Sequence, residues 1–139
     1  MSGFLLDTSV FSEFTKHDPA ASAIAFLTDR KKFWTSVVVR GELEHGVHLL
    51  PQGRRQDTLK IQISFLMGLF KGRILPIGKE EMEVAAFLRA KAKRSGHSLA
   101  LSNALIAGTA VANNFALVTR NVKDFENLGV EIVNPWDTG

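Results

Sequence analysis

With 139 residues, 45% hydrophobic and 22% charged, the chain has the size and make-up of one globular domain spanning residues 1–139, which argues against disorder. It holds no Cys and no Tyr, which rules out disulfides, thiolate metal sites and cysteine or tyrosine nucleophiles. The net charge is +3, yet residues 30 to 94 carry 14 basic and six acidic side chains, while the two flanks together carry three and eight. A basic middle between acidic ends points either to a polyanion held beside an acidic site or simply to solvated helix faces.

Phe4-Leu5-Leu6 is an apolar run that stops at Asp7 and reads as a first strand. It lacks the basic n-region of a signal peptide, and no run approaches the roughly 18 apolar residues of a membrane span, so a cytoplasmic location is expected. Asp18-Pro19 predicts a capped helix running to about Arg30. Phe33-Trp34-Thr35 is a second short strand, followed by a helix over residues 37 to 50 that stops before Pro51. A long helix over 54 to 71 ends near Gly72. Leu59, Ile63, Leu66, Met67 and Phe70 give it a core stripe, while Ile61, Phe65 and Leu69 form a second stripe that is either deeply buried or a partner surface.

Arg73 to Ile77 reads as a strand whose Pro76 favours an edge. A helix over 79 to 94 follows, with Glu80, Glu81 and Glu83 in or near its first turn and Arg89, Lys91, Lys93 and Arg94 toward its last; Gly96 ends it. Residues 100 to 114 form another helix, in which Ala104, Ala107, Gly108 and Ala110 permit close helix packing. Ala116 to Thr119 is the clearest strand, and Val130 to Val133 is a fifth before Asn134-Pro135-Trp136, a closing turn with Trp packed on the body. Strands alternating with helices predict a three-layer α/β/α sandwich around a mostly parallel sheet of about five strands.

In such a sheet, ligands bind beyond the carboxyl ends of the strands. Asp7, Thr119 with Arg120 and Asn121, Glu42 and Asn103 stand at or near those ends. Carboxylates gathered there suit a hard divalent cation such as Mg²⁺ or Mn²⁺, which polarises a phosphoryl oxygen and acidifies bound water. A lone Asp after a strand is more often a helix cap than a ligand. Glu42, His45 and His48 are spaced three apart, but His48 falls well off the Glu42 face, which speaks against a His-ligated metal.

Several segments resemble those of PIN-domain ribonucleases, and within them the VapC toxins of bacterial toxin–antitoxin pairs. These segments are Phe4 to Val10; Ser36, Arg40, Glu42-Leu43 and Gly46; Gly96 to Ala110; and Leu117 to Phe125 followed by Val133 to Trp136. The resemblance implies an endoribonuclease using Mg²⁺ or Mn²⁺, with Asp7, Glu42 and position 103 as catalytic metal ligands. It implies that Thr8 and Thr119 orient the carboxylates, and that Asn121 takes a fourth polar position. Asp124 would either approach the site or cap the short helix before Phe125.

At position 103 the family pattern has Asp and this chain has Asn, one negative charge fewer. Weakened metal binding and little or no cleavage are expected, whether the site is naturally degenerate or was deliberately silenced; the otherwise intact motifs favour the second. Arg40, Lys91, Lys93, Arg94 and Arg120 are candidates to hold an RNA backbone, that of a tRNA or rRNA being one possibility. The implied partners are a second copy of the chain and a cognate antitoxin, with DNA reached only through the antitoxin. The antitoxin would lay an amphipathic segment on the apolar surface and place a cation near the acidic site.

Two other classes remain. A catalytically degenerate PIN-like module would bind RNA or antitoxin without cutting. A hydrolase of small phosphate esters is disfavoured by the lack of a Gly-rich phosphate loop and of a nucleophile elbow.

Overall fold

The structure, a computed structural model, describes residues 3–28 and 32–137. Five strands, β1 (Gly3–Leu6), β2 (Phe33–Ser36), β3 (Ile74–Leu75), β4 (Phe115–Val118) and β5 (Ile132–Val133), form one sheet in the order β3-β2-β1-β4-β5. Every pairing is parallel, and β1 meets β4 with Leu6 opposite Val118. The Pro-bearing segment supplies the edge strand β3, as its composition predicts.

The helices are α1 (Thr8–Phe14), α2 (Ala21–Thr28), α3 (Val37–Leu49), α4 (Arg54–Leu69), α5 (Lys79–Arg94) and α6 (Leu101–Ala112). They flank a core that includes Leu5, Leu6, Val10, Phe11, Ile106, Leu117 and Val118, each at most 1% exposed. Among the described residues no helix is long and apolar enough to cross a membrane.

The order of the strands sets the site. The chain moves from β1 outward to β2 and β3, then crosses back to β4 on the other side of β1. The order therefore reverses between β1 and β4, and the crevice beyond their carboxyl ends is where such sheets take ligands. Asp7 follows β1 there, its N–H donating to Val118 O (3.0 Å), and Thr119 follows β4.

Several elements differ from the sequence reading. Helix α1 was not predicted: it has only seven residues and depends on Asp7, whose side chain caps it by accepting from Thr8 N. Helix α2 begins at Ala21 rather than beside Asp18-Pro19. Glu13, upstream on α1, accepts from Ala20 N (2.7 Å) and holds the approach to α2 outside helical geometry. The predicted end of that helix near Arg30 lies outside the described residues.

On α4 the second stripe is at the surface, with Ile61 70%, Phe65 66% and Leu69 54% exposed, so it is not a deeply buried face. Gly108 of α6 confirms close helix packing. A Cβ there would stand 2.9 Å from both Ala85 N and Glu81 O of α5. Trp136 packs on the body, its indole N–H donating to Glu13 Oε1 (3.2 Å).

Candidate functional site

Asp7 is 4% exposed, and its carboxylate is held from three directions. Oδ1 accepts from Thr8 N (2.6 Å), while Oδ2 accepts from Thr119 Oγ1 (2.6 Å) and Ser9 Oγ (3.2 Å). The cap and ligand readings of this residue are therefore compatible, because a carboxylate offers about four acceptor positions and only three are used. Burial pushes the Asp7 carboxyl above its ordinary pKa; the donors Thr119, Thr8 and Ser9 pull it back, and the charge of Glu42 raises it further.

Glu42 joins the same cluster from a different element. Ser36 ends β2 and caps α3, its Oγ accepting from Val39 N (3.2 Å), so α3 starts directly at the carboxyl end of β2. Glu42 lies in the second turn, half-buried, and Thr8 Oγ1 donates to its Oε1 in a short hydrogen bond. Thr8 thus spans the two acids: its N–H serves Asp7 and its hydroxyl serves Glu42. Among the described residues, the other Glu42 oxygen accepts no hydrogen bond.

Asn103 is the third residue of α6 and half-buried, and its amide makes no hydrogen bond among the described residues. Because α6 leads into β4, its N-terminal end lies beside the carboxyl end of β4, the edge where Asp7 and Thr119 meet. Two carboxylates and an amide oxygen are a hard, all-oxygen donor set, and that chemistry suits Mg²⁺ or Mn²⁺. A cation would also offset the burial and mutual repulsion of Asp7 and Glu42. Among the described residues, no group of three His, Cys, Asp or Glu side chains is placed to hold a metal. Asp7 and Glu42 supply two carboxylates, and no third carboxylate joins them among the described residues.

The remaining expectations divide. Thr119 is fully buried and also accepts from Asn121 N (3.0 Å), so it orients Asp7 and anchors the loop after β4. Asn121 itself is exposed. Asp124 is exposed in a short 3-10 helix over Val122–Phe125, where it lines a cavity with His97 and Lys123, and it makes no bond to Asp7 or Glu42. It sits inside that helix; Asn121 holds the capping position.

Arg40, Lys93 and Arg94 are exposed, and Lys91 is half-buried with its ammonium toward Gly129. The guanidinium of Arg120 is 3.9 Å from Glu13 and lies over the Trp136 ring at 5.4 Å. His45 and His48 are both exposed.

Sequence reasoning missed Ser9 and Glu13. Ser9 Oγ donates to Asp7 and accepts from Arg120 N (3.2 Å), tying the first turn of α1 to the loop after β4. Glu13 is 3% exposed and receives Ala20 N, Lys16 Nζ (3.0 Å) and Trp136 Nε1. An acid set between Phe11 and Phe14 is the sequence signal that marks it.

Comparison with known proteins agrees with this fold. The PIN domain family profile matches residues 4–131. The VapC ribonuclease Y4jK of Sinorhizobium fredii is 32% identical over 136 residues, covering 96% of this chain and 97% of that protein. Toxin FitB of Neisseria gonorrhoeae is 32% identical over 135 residues, covering 95% and 97%. The structure of FitAB bound to an IR36 DNA fragment superposes with a TM-score of 0.90 at 30% identity, covering 98% of this chain and 97% of that one.

Proposed function

The chain belongs to the PIN-domain family, and on that premise we propose that it is a metal-dependent endoribonuclease acting as the toxin of a toxin–antitoxin pair. The observation that carries the reading is the pairing of Asp7 and Glu42, from two elements, through the single residue Thr8 at the strand-order reversal. The names of its relatives, a VapC ribonuclease and a toxin, support the same class.

Asp7, Glu42 and the side chain at 103 would hold Mg²⁺ or Mn²⁺, which when bound supplies charge for the attacked phosphate and a more acidic water. Thr119 and Ser9 fix the Asp7 carboxylate, and Thr8 fixes Glu42, so neither acid must reorganise when substrate arrives. Asn103 keeps an acceptor oxygen but lacks the third charge, so cleavage by this chain is weak or absent. The same substitution favours a second reading, a module that binds RNA or antitoxin without cutting. A homodimer and an antitoxin are the expected partners. The exposed stripe Ile61, Phe65 and Leu69 offers an apolar face for one of them.

The test is cleavage of structured RNA with Mn²⁺ by this chain and by Asn103→Asp. Cutting by the variant supports the nuclease; RNA or antitoxin binding with no cutting by either protein supports the binding module.

A further inference from the structure

Residues 84 to 123 contain six Lys and Arg and no Asp or Glu. Within that stretch the chain folds back on itself. Helix α5 ends at Arg94, Gly96 takes a left-handed conformation, and His97 N donates to Ala92 O (2.9 Å), reversing the loop over the last turns of α5. Arg89 Nε then donates to Leu99 O (3.2 Å), and Leu99, 6% exposed, anchors the loop in the core. The result is a surface cavity of about 430 Å³ lined by Arg89, Ala90, Lys93, His97, Ser98 and Leu99.

No acid lines this cavity, and Lys93 has no ion-pair partner among the described residues. Arg89 and Lys93 stand one turn apart, about 6 Å along the axis, a spacing suited to a chain of phosphates rather than one small anion. The cavity is also on the correct edge of the sheet. Helices α5 and α6 run antiparallel, Leu99 meeting Arg89 while Asn113 Nδ2 reaches Glu81 Oε2 (3.2 Å), so the end of α5 lies beside the start of α6. Ser98 and Asn103 are five residues apart, at most about 18 Å even if fully extended.

We propose that this cavity is a phosphate subsite for single-stranded RNA, holding the backbone a few nucleotides from the bond at the Asp7–Glu42 centre. Lys93 supplies the principal charge, and Arg89 both faces the backbone and holds the loop. The proposal rests on the nuclease reading given above.

The experiment is binding of a fluorescein-labelled mixed-sequence single-stranded RNA, followed by anisotropy in EDTA across a salt series. Lys93→Ala should lower affinity about fivefold near 0.1 M salt and reduce the slope of log K against log salt by about 0.7, the value for one phosphate contact on a single strand. Lys93→Arg should restore most of the affinity. Lys79→Ala removes an equal charge from the other end of α5, about 21 Å away along the axis, and should leave both quantities unchanged. Equal losses from Lys93→Ala and Lys79→Ala, or none from either while RNA still binds, would overturn the subsite and leave the nuclease reading standing. If the unaltered chain binds no RNA and Asn103→Asp cuts none, the nuclease reading itself fails.

Discussion

Replacing Gly108 by Ala should destabilise the protein, although Ala is the better helix former. Gly108 faces α5 so closely that a Cβ would lie 2.9 Å from Ala85 N and Glu81 O and 3.2 Å from Ala85 Cα, all backbone atoms that cannot turn aside. Ordinary contact requires the helices to separate by about 0.5 Å, and a gap of that size forfeits about a quarter of the dispersion attraction of facing atoms. The loss falls on a seam of small buried residues, Ala85, Ala104 and Ala107, each at most 2% exposed. Overpacking of this kind costs about 1–3 kcal/mol, and the helix propensity of Ala returns about 1 kcal/mol. The net loss is up to about 2 kcal/mol, a fall in Tm of up to roughly 7 °C for a chain of this size. Gly68 of α4 has nothing within 4 Å of its Cβ position, so Gly68→Ala serves as the matched control and should gain about 0.5–1 kcal/mol. Thermal unfolding of both variants by circular dichroism gives the comparison. A Gly108→Ala protein as stable as Gly68→Ala would refute the close approach of α5 and α6.

Other consequences concern the site and its supports. Thr119→Val removes the hydroxyl that donates to Asp7 Oδ2 and accepts from Asn121 N, so in an Asn103→Asp background RNA cleavage should fall about 10–100-fold; an unchanged rate would mean that Thr119 does not orient Asp7. Glu42→Gln keeps an acceptor for Thr8 but removes a charge, and Mn²⁺ binding by calorimetry should weaken at least tenfold. The N–H of Ala20 and the Lys16 ammonium hold the Glu13 carboxyl below its ordinary value of 4.5. Its folded pKa is therefore depressed, and its stabilisation is complete above about pH 4.5 and lost as pH falls through the lower folded value. Glu13→Gln should lower stability by about 1–2 kcal/mol at pH 7, and the difference from the unaltered chain should shrink below pH 4.5 in urea titrations. A difference that grows on acidification would reverse the sign of this coupling.

Much of the architecture was legible where charge or turn chemistry marks an element at both ends. Helix α5 is the clearest case: acids in its first turn, bases in its last and Gly96 beyond place it at Lys79–Arg94. Helix α1 was not legible. Its seven residues carry no periodic signal, and its start depends on a side chain that sequence reasoning had to weigh as cap or ligand. The structure shows the cap and leaves an acceptor position open for a ligand role, because the Asp7 oxygens divide the work, one serving Thr8 N and the other Thr119 and Ser9.

The pairing of Asp7 with Glu42 follows from the strand ends. The bridge through Thr8 depends on how α1 packs on α3, which no local pattern encodes. Glu13 was missed for a similar reason: its partners Ala20, Arg120 and Trp136 come from three other parts of the chain.

The account stands or falls on position 103, measured as the initial rate of RNA cleavage with and without Mn²⁺ for this chain, Asn103→Asp, and Asp7→Asn combined with Asn103→Asp. The account predicts that Asn103→Asp cuts at least about 100-fold faster than this chain, the upper end of what even a supporting residue contributes at a metal site. It also predicts that EDTA or the added Asp7→Asn abolishes the gain. Cleavage by Asn103→Asp that persists in EDTA, or no cleavage by it on any structured RNA, would contradict it.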